Sequence, residues 1–172
     1  MLRVLGVDPG LTRCGVGIVE GVPGRPCTMV HYEVVHSDPD EELAHRLLRL
    51  DRRFAELITE FAPASVAVER VFAQNNVGTV MGTAQAGAIA IVAGARAGLP
   101  VTLYTPSEVK AAVTGSGSAD KAQVTLMVTR LLKLAAPPRP ADAADALALA
   151  ICHVWRGGTR DKLAAALKAA RR

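Results

Sequence analysis

Cysteine is scarce and scattered: Cys14, Cys27 and Cys152 are three in number, far apart, and form no CxxC pair. Neither a disulfide framework nor a zinc site of the usual His/Cys type is available, since His31, His36, His45 and His153 add no ligand spacing either. Reduced thiols are expected, and with them a cytoplasmic protein. The opening residues MLRVLGVDPG carry an acid and a turn where an export signal needs an apolar stretch, so no such signal is predicted. Long uncharged runs are absent apart from Val77 to Ala95, which has about the length a bilayer requires. That run is mostly Gly, Ala and Thr around Gln85, a composition that gains little from lipid and predicts a buried helix, without membrane association. Aromatic residues make up only 3% of the chain, so an exposed one calls for an explanation.

What is present suits one α/β domain: 172 residues, 50% of them apolar, are enough for a proper core and too few for two comfortable ones. The net charge of +4 is unevenly placed. Residues 156–172 carry about +5, leaving the body near −1, so phosphate contacts on the body must come from locally clustered lysines and arginines. The expected organisation is a domain over 1–156 followed by a basic C-terminal tail, 157–172, as a helix or a loose extension.

Arg3 to Asp8 is an apolar run that stops at Pro9-Gly10, as a buried strand ending in a turn does. Gly15 to Glu20 and Thr28 to His36 follow across a Gly/Pro-rich link and complete an antiparallel meander. From Asp40 to Phe61, Leu43, Leu47, Leu50, Phe54, Leu57, Ile58 and Phe61 recur at helical spacing. Ser65 to Val71 and Pro100 to Tyr104 read as strands flanking the Gly/Ala-rich helix, a crossover that implies parallel pairing. Two more helices are expected around Ala119 to Leu134 and Ala141 to Trp155, separated by Pro137-Pro138-Arg139-Pro140. This order is that of the ribonuclease H-like fold, an α/β architecture with a mixed five-stranded sheet flanked by helices on both faces.

Asp8 ends the first strand, where open α/β sheets place ligand sites, although an Asp before Pro-Gly also simply favours a turn. Glu69 closes the apolar strand Val66-Ala67-Val68, where burial without a partner is costly; an exposed strand edge is the plain alternative. Asp142 and Asp145 lie three apart on one face of a helix start, a place where the helix dipole alone also favours acids. Converging together, the four would repel one another unless a cation neutralised them, and oxygen-only ligands favour Mg²⁺ or Mn²⁺. Such ions, paired about 4 Å apart, assist phosphodiester hydrolysis.

GVDPGLTRCGVGIVE, VAVERVFAQNN and ADAADALALAICH resemble the three acidic motifs of the RuvC family of Holliday-junction resolvases, and VKAAVTGSGSADKAQV and MVTRLLKL fit the same pattern. The likeness spans nearly the whole chain. It implies a metal-dependent endonuclease that cuts two symmetric strands of four-way junction DNA in recombination and repair, with Asp8, Glu69, Asp142 and Asp145 as catalytic metal ligands. It also implies DNA contacts from Lys110 and Lys121, base stacking by Phe72, a homodimer, and association with RuvA and RuvB. Against these stand ordinary solvated lysines and a core Phe. Both lysines flank Gly115-Ser116-Gly117, read as a flexible hinge.

Gly78, Gly82, Ala86, Ala90, Gly94 and Gly98 form a row spaced four apart that suits either close packing on the chain's own sheet or a twofold seam. Three rival functions fit parts of the pattern. An actin-like sugar or acetate kinase shares the GVDxG turn but needs a second domain; a nuclease for RNA/DNA hybrids shares fold and chemistry; a non-catalytic junction-binding module would not need four acids.

Overall fold

The computed structural model describes the backbone of residues 1–72 and 77–169, with side chains of these except at 77 and 158–169. Three antiparallel strands come first, β1 (Leu2–Asp8), β2 (Arg13–Gly21) and β3 (Thr28–His36), then α1 (Leu43–Phe61) and β4 (Ser65–Glu69). After them come α2 (Val77–Arg96), β5 (Val101–Tyr104), α3 (Pro106–Thr114), α4 (Lys121–Leu131) and α5 (Ala141–Ala169). The sheet order is β3-β2-β1-β4-β5, with β4 parallel to both β1 and β5. The expected mixed five-stranded sheet is therefore present.

Each face of the sheet carries a core. On one, Leu5, Val7, Val16 and Ile18 meet Leu50, Phe54 and Leu57 of α1 and Ala86, Ala90 and Ala93 of α2. On the other, Val4, Val19 and Ala67 meet Val109 and Val113 of α3, Val124 and Val128 of α4, and the buried run Leu147 to Cys152 of α5.

The sequence reading had no helix at α3. Its signal is local: Thr105 accepts from the Glu108 backbone N–H and Glu108 accepts from the Thr105 N–H, a capping box with Pro106 at the first helical position. The joint after α3, read from sequence as a hinge, is hydrogen-bonded on both sides. Gly115 caps the helix with φ 83°, its N–H donating to the Ala111 carbonyl at 3.1 Å. Thr114 Oγ1 donates to the Lys110 carbonyl and accepts from the Ser116 N–H, and Asp120 with Gln123 opens α4 with a second capping box.

The small-residue row on α2 packs inward from Gly82 to Gly94. A Cβ at Gly82 would meet Leu11 at 3.3 Å and one at Gly94 would meet Val101 Cγ2 at 2.7 Å, while Ala86 and Ala90 are buried. Gly78 is exposed and Gly98 lies past the helix end at φ 71°, so the row does not extend to either. Only 28% of the 78–96 segment is buried, however, so α2 is a half-covered helix rather than the buried one expected. Met81 and Val92, with Ala84 and Ala88 between them, form an exposed apolar row on its outer face. By length and composition alone α2 could cross a membrane, but its inner face lies on the protein's own sheet. The last helix continues through Ala169, beyond the expected stop at Trp155; the side chains of most of the basic tail lie outside the described residues.

Candidate active site

Side-chain alternation along β1 decides where Asp8 points. Leu5 and Val7 join the core beneath α1 and α2, Val4 joins the opposite core, and Asp8, in phase with Val4 and Gly6, emerges on the α5 side. β4 repeats the pattern: Ala67 lies on the α5 side and Val66 and Val68 opposite, which gives Glu69 the phase of Asp8. The parallel register pairs Val7 with Val68, so the two carboxylates leave neighbouring strands at the same carboxyl edge.

The other two acids arrive on α5 because the strands beneath it lack side chains. A Cβ at Gly17 would lie 2.7 Å from Leu147 N and one at Gly6 would lie 2.9 Å from Ala150 N; at Gly15 it would strike the Asp142 carbonyl. Glycine at these positions lets the helix settle directly onto β1 and β2. Its first turn then holds Asp142 and Asp145 over the edge where Asp8 ends.

The electrostatics record this crowding. Burial, reinforced by the charges of Glu69, Asp145 and Asp142, pushes the Asp8 carboxyl up to about 8. Burial and the Asp145 charge push Glu69 up to about 7. Two cations of the chain hold the other two acids. Arg13 grips Asp142 Oδ2 through Nε at 2.9 Å and Nη2 at 2.7 Å. Lys121 Nζ donates to Asp145 Oδ2 at 3.3 Å, and the Asp145 charge raises the Lys121 pKa above the ordinary lysine value.

A cavity of about 230 Å³ is lined by Asp8, Glu69, Asp145, Lys110 and Lys121, so α3 and α4 deliver both lysines to the acids. Asp142 is not among the residues that line it; its carboxylate is held by Arg13. Among the described residues no three carboxylates, histidines or cysteines close into a ready-made ligand cluster. The donor chemistry nonetheless fits a hard divalent cation: the donors are all oxygens, and burial with neighbouring carboxylate charge raises the pKa of Asp8 and Glu69, so a bound cation would favour their ionised forms. Phe72 is 48% exposed, hence outside the core, and lines a neighbouring cavity of about 210 Å³ that also includes Glu69 and Pro106.

Arg13 is a site residue that the sequence does not signal. Its partner Asp142 lies at the far end of the chain, and nothing local in DPGLTRCG indicates the pairing.

Comparison with known proteins follows the same outline. The family described as crossover junction endodeoxyribonuclease RuvC matches residues 4–153. A crossover junction endodeoxyribonuclease RuvC from Salinispora arenicola is 74% identical over 171 residues, covering 99% of this chain and 98% of the relative. Another from Streptomyces griseus is 64% identical over 170 residues, covering 99% and 83% respectively. Among solved structures, T. thermophilus RuvC in complex with Holliday junction substrate superposes with a TM-score of 0.87 at 37% identity, covering 91% of this chain and 95% of that one. A fold, a carboxylate edge and a full-length likeness thus agree, and the chain belongs to the RuvC family of crossover junction endodeoxyribonucleases.

Proposed function

We propose that Asp8, Glu69, Asp142 and Asp145 form the catalytic centre at which this enzyme hydrolyses a phosphodiester bond in each of two symmetric strands of a four-way DNA junction. The protein is a junction-resolving endonuclease of recombination and repair, as its family is. The observation that carries the residue assignment is the meeting of acids from β1, β4 and α5 with lysines from α3 and α4 around one cavity.

Asp8 and Glu69 would hold a divalent cation together with Asp142 and Asp145, and when bound that ion supplies water activation and stabilisation of the leaving oxygen. All-oxygen donors favour Mg²⁺, with Mn²⁺ able to substitute. Around it the chain's own groups do the positioning. Lys110 and Lys121 offset the carboxylate charge that would otherwise repel DNA, and each can contact a phosphate. Phe72, exposed beside Glu69, offers an apolar face to an unstacked base, an interaction worth about 1–3 kcal/mol.

Symmetric cutting calls for two active sites, and a homodimer is part of this reading. The exposed row of Met81, Ala84, Ala88 and Val92 on α2 is the surface that supports it, since a single helix face of that composition gains from burial against its own copy. A cytoplasmic setting accords with Cys14, Cys27 and Cys152 being free and buried. Work alongside RuvA and RuvB completes the reading, on the strength of the family resemblance.

A cleavage panel tests it: four-way junction, linear duplex, RNA/DNA hybrid and single strand, each with Mg²⁺, Mn²⁺ or no metal. Cleavage should be confined to the junction and to the metal-containing arms. Asp8→Asn, Glu69→Gln, Asp142→Asn and Asp145→Asn should each reduce single-turnover cleavage by orders of magnitude while retaining junction binding. Preferred cutting of the hybrid would replace the substrate assignment, and near-normal cleavage by any one variant would remove that residue from the centre.

A further inference from the structure

We propose that the depression beside the β1–β2 turn, built around Arg46, is a phosphate subsite for a backbone phosphodiester flanking the cleavage position. The proposal rests on the DNA-nuclease reading above and adds to it a contact outside the carboxylate centre. Arg46 projects from α1 and is only 9% exposed. A guanidinium so far removed from water asks for a counter-charge. Its Nε donates to Ser37 Oγ at 2.9 Å and its Nη2 to Thr12 Oγ1 at 2.8 Å, both neutral oxygens. Ser37 has already committed its proton to the Leu11 carbonyl at 2.6 Å. Among the described residues no carboxylate pairs with Arg46, whereas Arg3, Arg13, Arg49, Arg53 and Arg96 each have one.

The cavity it lines measures about 350 Å³ and is walled by two arginines, three threonines, three glycines and Leu11, with no acid. The larger cavity between β3 and α1, about 570 Å³, shows the contrast: Glu33, Glu41 and Glu56 stand in its own wall, where they pair with Arg49 and Arg53. Arg13 is already paired with Asp142, so Arg46 is the uncompensated cation here, and a hollow that sets it beside threonine hydroxyls with no acid in its wall is complementary to a phosphodiester.

Its position fits one strand passing through the site. Thr79 and Thr83 are shared with the cavity that holds Phe72, and that cavity in turn shares Glu69 and Pro106 with the carboxylate cavity. The three hollows are therefore successive neighbours, each sharing two wall residues with the next. Arg13, on the wall of the Arg46 hollow, also holds Asp142 of the carboxylate group.

Arg46 also braces the turn against the end of β3, where the Ser37 N–H donates to the Thr12 carbonyl at 3.1 Å, so a variant must separate bracing from binding. Thr12→Glu does this, because it adds at an exposed position the carboxylate that Arg46 lacks. Binding would be measured with a synthetic four-way junction in chelator, across a salt series, together with a scan in which single phosphates are replaced by neutral methylphosphonates. In the wild type, one or more neutral replacements near the cleavage position should weaken binding. Thr12→Glu should abolish the effect of that replacement and lower the salt slope by about one unit, the share of one phosphate contact, with the melting temperature held or raised. Arg46→Gln should do the same to slope and scan. An unchanged slope and scan in Thr12→Glu would overturn the subsite, as would an Arg46→Gln protein that melts earlier but keeps both. A wild type that neither binds nor cuts the junction would overturn the nuclease reading beneath it.

Discussion

Asp8 carries a stability consequence of its own. Its carboxyl titrates near 8 in the folded, metal-free protein against 3.8 as its ordinary value, so between these pH values the folded state holds a proton that the unfolded chain has released. Stability contributed by that proton is present at low pH and is lost as pH rises toward 8. Metal-free protein should therefore melt earlier as pH is raised from about 5 to 8, and Asp8→Asn should flatten that dependence; thermal melts in chelator at several pH values check it. Asp8 and Glu69 were legible in the sequence because a charged residue ending an apolar strand stands out. Arg13 and Arg46 were not, because what distinguishes them is a distant acid in one case and a missing acid in the other. Phe72 was legible only through family resemblance; its exposure now predicts that Phe72→Ala spares the melting temperature while reducing junction cleavage, and that Phe72→Trp restores much of it. A drop of several degrees with normal cutting would return it to the core.

At the scale of elements, α2 has two faces with different consequences. Ala86 is buried against the sheet, so Ala86→Leu should destabilise the fold by about 1–3 kcal/mol through overpacking and leave the association state of the folded protein unchanged. Val92, 49% exposed, should behave oppositely: Val92→Asp should weaken the proposed self-association while melting stays near the wild type. Sedimentation and thermal melts on the two variants separate the faces. The row of small residues could not make this distinction from spacing alone, since an i+4 row winds around the helix and meets whichever neighbour lies beneath. Helix α3 escaped for a different reason. Pro106 to Thr114 is too short to show a convincing apolar period, and its evidence is the cap Thr105-Pro106-Ser107-Glu108.

The whole molecule distributes its charge unequally, with about +5 in residues 156–172 and near −1 elsewhere. Removing the chain after Gly157 should weaken binding to any DNA and flatten its salt dependence. The carboxylates, both lysines and the Arg46 hollow remain, so the preference for a four-way junction over duplex should persist. Competition binding at two salt concentrations checks this; a lost preference would mean the tail reads branch geometry.

The tight seating of α5 on Gly6, Gly15 and Gly17 also has a bearing on when the enzyme becomes active. The acids it unites are drawn from β1, β4 and α5, far apart in the sequence. No local segment holds more than two of them, and Asp142 and Asp145 reach Asp8 only once the sheet offers its bare glycine track. A protein with α5 undocked should therefore lose both the meeting of the acids and the core that Leu147 to Cys152 supply to one face of the sheet.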